Sequence, residues 1–409
     1  MPSRTEATLP AAWWTLAFLW VAYLLNYVDR QVVFSIFPAL RKDLQFSDAE
    51  LGLIGTVFIW VYSLSMPVAG RIADLAPRGR VVIGSLALWS LATLGTALSG
   101  SVTAFLLWRA VMGITESLYV PAALGLLAAL HPNSTRSKAL AIHATAQLAG
   151  IAAGGWYGGW TADAIGWRPG FFALTAGGMA YAVVLAWAFR KLPELRVEEG
   201  CARAAPLDIL RSRCYLALAA AFFAFCMMLW MLYAWLPSFI YERYGLSMTE
   251  SGFTATFYLQ ASSALGVLAG GVLGDRIVKR VRAGRFYVGG LGLLSCAPMA
   301  YLTLASGSLG LLKLASAGFG LLSGLMIANI FASAYDVISE RNYGFGAGAL
   351  NLAGGLAGGA GIFCAGLWKQ SIGIRTLMGW AALAAAGAAV VMVVVVAARF
   401  QADRRRVGL

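Results

Sequence analysis

Apolar runs long enough to cross a bilayer recur along this chain, separated by short polar connections. Spanning the hydrocarbon takes about 20 residues. Twelve stretches qualify: 13–38, 50–73, 81–100, 102–130, 138–164, 169–190, 214–241, 250–275, 285–304, 308–337, 344–370 and 376–399. A backbone in lipid must satisfy its own hydrogen bonds, which leaves helices or closed barrels. No alternation of period two points to barrel strands, so the chain reads as an all-α membrane protein with twelve transmembrane helices. Composition agrees. The chain is 60% hydrophobic and 12% charged, against about 25% charged residues in soluble domains. Its 47 glycines suit membrane helices, which approach one another through small residues.

The formal net charge of +13 is distributed as topology rather than as a nucleic-acid patch. Arg30 and Arg109 fall inside spans. Of the other 29 basic residues, about 22 gather on alternate connections and about 7 on the opposite ones; the rich side holds Arg78 and Arg80, Arg136 and Lys138, the stretches 190–213 and 276–285, Arg341, Arg399 and Arg404–Arg406. Basic connections face the cytoplasm, which predicts cytoplasmic termini and a bacterial inner (plasma) membrane. The first apolar run is too long and too charged for a cleaved signal peptide. Five scattered cysteines form neither a disulfide framework nor a metal-type pair, and no cofactor is expected. The longest polar interruption divides the chain into an N-terminal six-helix bundle (1–190), a cytoplasmic linker (191–213) and a C-terminal six-helix bundle (214–409).

Four charges stand out against this background. Asn26-Tyr27-Val28-Asp29-Arg30 lies within the first span, and Arg109 and Glu116 lie within the fourth. Each charge near the bilayer centre costs roughly 2.5–3.5 kcal/mol even on the lower scales. Arg109 and Glu116 are seven residues apart, on one helix face and roughly 10 Å from each other. Asp29 and Arg30 are adjacent and point about 100° apart, so they cannot share one partner. Spacing does not say which pairs with which. One reading is a static ion-pair cluster. The other is functional, with Asp29 or Glu116 carrying a proton and an arginine binding an anion.

The two halves echo each other. Gly70-Arg-Ile-Ala-Asp74 closes the second span and Gly271-Val-Leu-Gly-Asp275 closes the eighth, 201 residues later. Arg136 precedes the fifth span and Arg341 the eleventh, 205 residues later. Such a period implies a duplicated six-helix bundle. Gly70-x-x-x-Asp74-x-x-x-Arg78-Gly79-Arg80 resembles the signature loop of the major facilitator superfamily, and the copy at Gly271–Arg280 sits where that superfamily repeats it. Gly150-x-x-x-Gly154-Gly155 and Gly166-Trp167-Arg168 also match its habits. The resemblance covers nearly the whole chain. It implies two pseudo-symmetric six-helix bundles that rock about a central site.

Within that superfamily two branches are similar. Asn26-Tyr27-x-Asp29-Arg30-Gln31, Gly52-Leu-Ile-x-Thr-Val-Phe-Ile59 and Pro67-Val68-x-Gly70 look like Spinster-type lipid transporters. Glu116 with Pro121-Ala122, Trp235-Leu-Pro237, Gly245-Leu-Ser247 and Asn351 look more like organic anion:cation symporters, although Met66 stands where those often carry Gln. The resemblance implies a proton-coupled secondary transporter. Its cargo is a small organic anion such as a sugar acid or carboxylate, with lysolipids or other amphiphiles as the alternative. A non-transporting receptor or scaffold is the alternative of another class. Asp29 and Glu116 are then the proton-coupling residues. Arg30, Arg109, Asn26, Tyr62, Tyr119 and Asn351 are the substrate-binding candidates. Gly70, Asp74, Arg78, Arg80 and Asp275 form the gate, with Asp74, Arg78 and Arg80 as a cytoplasmic latch. Asp336 and Glu340 read as solvated helix ends, and His143 as a hydrogen-bonded packing residue. No Walker loop, nucleophile elbow or nucleotide fingerprint appears, which argues against ATP as energy source and against an enzyme. The expected partners are a small-molecule substrate, protons and the lipid bilayer, with no nucleic acid, and the chain is expected to be a monomer.

Overall fold

The computed structural model describes residues 9–190 and 206–408. Fourteen α-helices follow one another in these residues, with no strand among them. The first eight are α1 (Leu9–Ser35), α2 (Phe37–Leu44), α3 (Asp48–Leu75), α4 (Arg78–Ala97), α5 (Val102–Ser117), α6 (Tyr119–Leu130), α7 (Asn133–Ala164) and α8 (Trp167–Phe189). The rest are α9 (Arg213–Tyr244), α10 (Met248–Val278), α11 (Gly284–Ala305), α12 (Leu309–Tyr335), α13 (Tyr343–Trp368) and α14 (Ile374–Arg406). Of the expected linker, residues 191–205 lie outside the described residues, and Pro206–Arg211 form a short 3-10 turn.

Eleven of the twelve expected spans are long and apolar enough to cross a membrane. One of these, Val102–Leu130, contains both α5 and α6. The helix breaks at Leu118 because Pro121 has no N–H to offer the Ser117 carbonyl four residues back. The twelfth, α7, has the length but is less apolar, with His143, Gln147 and several glycines in its middle.

The duplication is written into the helix ends. Ser47 and Glu50 form a reciprocal capping box at the start of α3, with Ser47 N–H donating to Glu50 Oε2 at 2.8 Å. Two hundred residues later Ser247 and Glu250 repeat it at the start of α10. Ser101 caps α5 and Ser308 caps α12 through the same bond to the third residue. Gly166 and Gly373, both with positive φ, precede α8 and α14. Behind each stands an arginine that reaches back to a carbonyl: Arg168 to Ser99 at 3.2 Å, Arg375 to Leu304 at 3.4 Å.

The described residues gather into two compact units. One holds the described residues up to Arg190 together with Leu246–Phe253, and the other holds those from Pro206 to Gly245 and from Thr254 to Gly408. In the first, α1 packs on α7, α3 on α5, and α4 on both α5 and α8. In the second, α9 packs on α13, and α11 on both α12 and α14, which is the same scheme. Glycine makes the tightest of these contacts possible. A Cβ at Gly150, Gly154 or Gly158 of α7 would come within 2.8 Å of the carbonyl oxygens of Leu24, Val28 or Val32 in α1. That stripe sets the depth and rotation of α1 exactly where its charges lie, so packing links directly to the site.

Candidate functional site

All four in-span charges lie inside the first unit. Glu116 and Arg109 are 0% exposed, Asp29 is 4% and Arg30 is 6%. The one-residue offset between Asp29 and Arg30 sends them to different neighbours. Arg30 Nε donates to Glu116 Oε2 of α5 at 2.6 Å, a short charge-assisted bond. Asp29 turns instead to α4, where the Thr93 hydroxyl donates to Oδ1 at 3.3 Å. Thr93 also reaches the Trp89 carbonyl of its own helix at 3.1 Å. Its single proton can therefore serve Asp29 or the backbone, but not both fully.

Among the described residues Arg109 has no carboxylate partner. Its Nη1 meets the Met112 sulfur at 3.0 Å, a weak acceptor, while Nε and Nη2 have no hydrogen-bond partner. The ring of Phe58 lies 4.7 Å from its guanidinium carbon. Arg30 is caged more completely, with the rings of Tyr62, Tyr27 and Phe58 at 4.3, 4.8 and 5.1 Å. Such contacts hold a cation without neutralising it. Arg30 Nη2, Glu116 Oε1 and both amide atoms of Asn26 are also buried without a well-formed hydrogen bond among the described residues, although Asn26 faces Glu116 and Tyr62 faces Arg30. With all four groups ionised the cluster carries no net charge, and it leaves polar capacity unused; unused donors in a sealed site cost free energy unless something else engages them.

The substrate candidates separate here. Asn26, Arg30, Arg109 and Tyr62 converge on the cluster. Tyr119 lies apart from it, fully buried in an aromatic stack with Tyr23 and His143. Its hydroxyl donates to the Leu19 carbonyl at 2.6 Å and lies 3.1 Å from His143 Nε2. With the hydroxyl proton committed to Leu19, Nε2 carries the histidine's proton. Asn351, in the second unit, is exposed and donates to the Ala347 carbonyl of its own helix at 3.1 Å.

The gate candidates form two local networks. Arg78 lies 3.8 Å from Asp74 and donates to the Gly125 carbonyl at 2.8 Å, while Gly70 leaves open space around it. In the second unit Asp275 pairs with Arg285 at 2.9 Å, and the same guanidinium reaches Asp336 at 3.3 Å. Asp336 is therefore half-buried and ion-paired, not a solvated helix end. Burial pushes its carboxyl above the ordinary range, and Arg285 draws it back in part. Sequence reading missed Arg285 as the partner, yet it follows Arg80 by 205 residues, the same interval that separates Arg136 from Arg341. Met112 and Thr93 were also missed, because nothing in their local sequence sets them apart from other packing residues, and Phe58, although part of the Gly52–Ile59 motif, carries no polar group to mark it as a site residue.

Residues 19–362 match the family model for the Major Facilitator Superfamily. The chain belongs to the Major Facilitator Superfamily. A probable sulfoacetate transporter of Cupriavidus necator is 28% identical to it over 73% of this chain and 75% of its own length. The hexuronate transporter of Bacillus subtilis is 25% identical over 69% of each. Protein spinster of Drosophila melanogaster is 28% identical over 73% of this chain, which spans about half (52%) of that longer relative. In three dimensions the chain is similar to a bacterial homolog of the human lysosomal transporter Spinster. The TM-score is 0.79 at 20% identity, covering 97% of this chain and 98% of the other, a likeness of fold. The superfamily member described here is thus a multi-pass membrane transporter with a sealed charge cluster in its first unit.

Proposed function

We propose that this transporter is a secondary carrier that moves a small organic anion across the bacterial inner membrane by alternating access, coupled to protons, with both termini cytoplasmic. The observation that carries this reading is the sealed quartet of Asp29, Arg30, Arg109 and Glu116, in which each acid has its own hydrogen-bond donor and Arg109, among the described residues, has no paired carboxylate. Asp29 has neutral neighbours in the Thr93 hydroxyl and the Trp89 ring and only a through-space pull from Arg109, so a proton added there breaks no direct ion pair. The quartet then carries one net positive charge, and an anionic cargo restores neutrality. The cargo competes with Glu116 for Arg30 and engages the open N–H groups of Arg109. Releasing the proton reverses both steps. Similarity to a sulfoacetate and a hexuronate transporter supports an organic acid as the cargo. The gate networks at Asp74–Arg78 and Asp275–Arg285–Asp336 act as conformational latches.

Uptake of radiolabelled D-glucuronate or sulfoacetate into proteoliposomes, with and without an inward proton gradient, tests the reading. Gradient-driven accumulation of either acid supports it, and no uptake of either overturns it. A second reading, carriage of a lysolipid, draws on the likeness of Asn26–Gln31 and the α3 motif to Spinster proteins and on the Drosophila relative. Lysophosphatidylcholine efflux without acid uptake would favour it. Binding without movement of either compound would favour a receptor.

A further inference from the structure

The two copies of the turn that follows the Gly-x-x-x-Asp signature differ in length. Asp74 and Asp275 stand 201 residues apart, whereas Arg80 and Arg285 stand 205 apart, so the second copy is four residues longer. Ala76 and Pro77 alone separate α3 from α4, while Lys279–Ala283 separate α10 from α11. Lys279, Arg280 and Arg282 make most of that longer turn cationic. Its backbone is closed: the Arg280 and Val281 N–H groups donate to the Ile277 carbonyl at 2.9 and 2.8 Å, and Gly284 N–H donates to the Val281 carbonyl at 2.8 Å. The turn is therefore held in shape by its own main chain, and the three cationic side chains point outward with an exposed Val281 among them.

A second set of cations stands beside this turn. The Phe286 ring at the start of α11 meets the Phe400 ring near the end of α14, with centres 5.9 Å apart. That contact brings Arg399 and Arg404–Arg406 to the same end of the unit. The acids there are already engaged. Asp275 and Asp336 share Arg285, and Asp403 accepts from the Ser212 hydroxyl and the Cys214 N–H at 3.0 and 2.8 Å. Among the described residues Lys279, Arg280, Arg282, Arg399 and Arg405 form no ion pair, and Arg404 Nε is buried without a hydrogen-bond partner. Roughly 10 Å along each helix from these cations, Leu291 and Leu294 of α11 and Val391 and Val394 of α14 are exposed.

We propose that the α10–α11 turn and the end of α14 form a binding site for an anionic phospholipid of the surrounding bilayer. Basic connections in general follow from membrane topology, but topology does not call for three cations in a stretch that the first copy lacks. Basic segments at the end of a membrane helix attract anionic headgroups. A phosphodiester supplies the negative charge that the engaged acids do not, and the arginines offer it paired N–H donors. The exposed aliphatic side chains match its acyl chains, and Val281 adds an apolar contact among the cations. A soluble phosphate would meet the cations but leave that apolar face uncovered. The site is independent of the cargo and of the charge quartet in the first unit.

The test titrates dioleoylphosphatidylglycerol, dioleoylphosphatidylcholine and inorganic phosphate into purified full-length protein in detergent, reading bound lipid by native mass spectrometry and melting temperature alongside. Wild type should bind phosphatidylglycerol at least about tenfold more tightly than phosphatidylcholine, and phosphate should neither raise melting nor displace the lipid. Each cation near a membrane surface is worth about fivefold in affinity. Lys279→Gln with Arg280→Gln and Arg282→Gln should therefore lose at least about tenfold for phosphatidylglycerol. Arg399→Gln with Arg405→Gln, which leaves the turn intact, should lose at least about fivefold. Arg280→Lys with Arg282→Lys keeps the charge and should stay within about threefold. Arg136→Gln with Lys138→Gln removes two exposed cations from the first unit and should also stay within about threefold. Wild-type affinity in either the turn variant or the α14 variant would overturn the site. Equal binding of phosphatidylcholine, a loss in the Arg136 and Lys138 variant as large as in the turn variant, or displacement of the lipid by phosphate would each overturn it as well.

Discussion

The guanidinium of Arg30 holds the Glu116 carboxylate at 2.6 Å, although Arg109 shares a helix with that glutamate. Two helical turns, roughly 10 Å, separate Arg109 from Glu116 along α5, so the partner has to come from α1. This exchange of partners leaves Arg109 with a sulfur and a ring instead of an acid. It makes the two arginines unequal, and the unequal pair yields separate expectations.

Arg30 and Glu116 should behave as a buried pair. Removing one member strands the other in a low dielectric, which typically costs about 3–5 kcal/mol. Glu116→Ala is therefore expected to lower the melting temperature sharply in detergent, and Arg30→Met with Glu116→Leu to recover most of the loss. A double variant as unstable as the single one would show that the bond contributes no coupling of its own.

Arg109 should behave in the opposite way. A fully buried cation with open N–H groups contributes little to folding, so Arg109→Met is expected to melt at or above the wild-type temperature. Binding of an acidic cargo should fall by at least about tenfold, as when a buried charge partner is truncated. Calorimetry and a melting curve on the same sample check both halves, and normal binding would return the cluster to a static role.

The α7 glycine stripe positions these charges. Even a methyl at Gly154 would lie 2.8 Å from the Val28 carbonyl oxygen, one residue before Asp29. Gly154→Ala should therefore reduce both melting temperature and uptake. Gly177→Ala, with open space at its Cβ, is the control and should change neither.

Much of this architecture was legible in the chain, for identifiable reasons. Span length is fixed by hydrocarbon thickness, so apolar runs located the helices. The Gly70–Asp74 and Gly271–Asp275 copies exposed the duplication. The four charges were conspicuous because a bilayer makes each one expensive. Which charge pairs with which depends on helix rotation, and that is set by Gly150, Gly154 and Gly158 against α1, a contact between segments more than a hundred residues apart. Tyr119 shares a span with Glu116, yet the break at Leu118 precedes it and its hydroxyl bonds Leu19 away from the charges. Arg285 lay hidden in a run of basic residues whose topological meaning masked the one that pairs with two acids.

The Asp336 carboxyl offers a pH signature for the proposed second latch. Its folded-state pKa is raised, chiefly by burial. Its contribution to stability is thus complete below the unfolded value of about 4 and is lost as pH rises through the folded value. Asp336→Asn should flatten that slope in melting temperature against pH, while Arg285→Ala, which removes the opposing pull, should shift it to higher pH. An unchanged profile in Asp336→Asn would assign the slope to another group.

The most direct measurement is proton-driven uptake of D-glucuronate or sulfoacetate by proteoliposomes containing Asp29→Asn, run beside counterflow exchange of the same acid. Asparagine keeps the Thr93 contact but cannot gain or lose a proton. The account expects an imposed pH gradient to stop raising uptake in this variant while exchange stays within about threefold of wild type, as for loss of the driving ion without loss of the binding groups. Uptake that still follows the gradient as steeply as in wild type would contradict it.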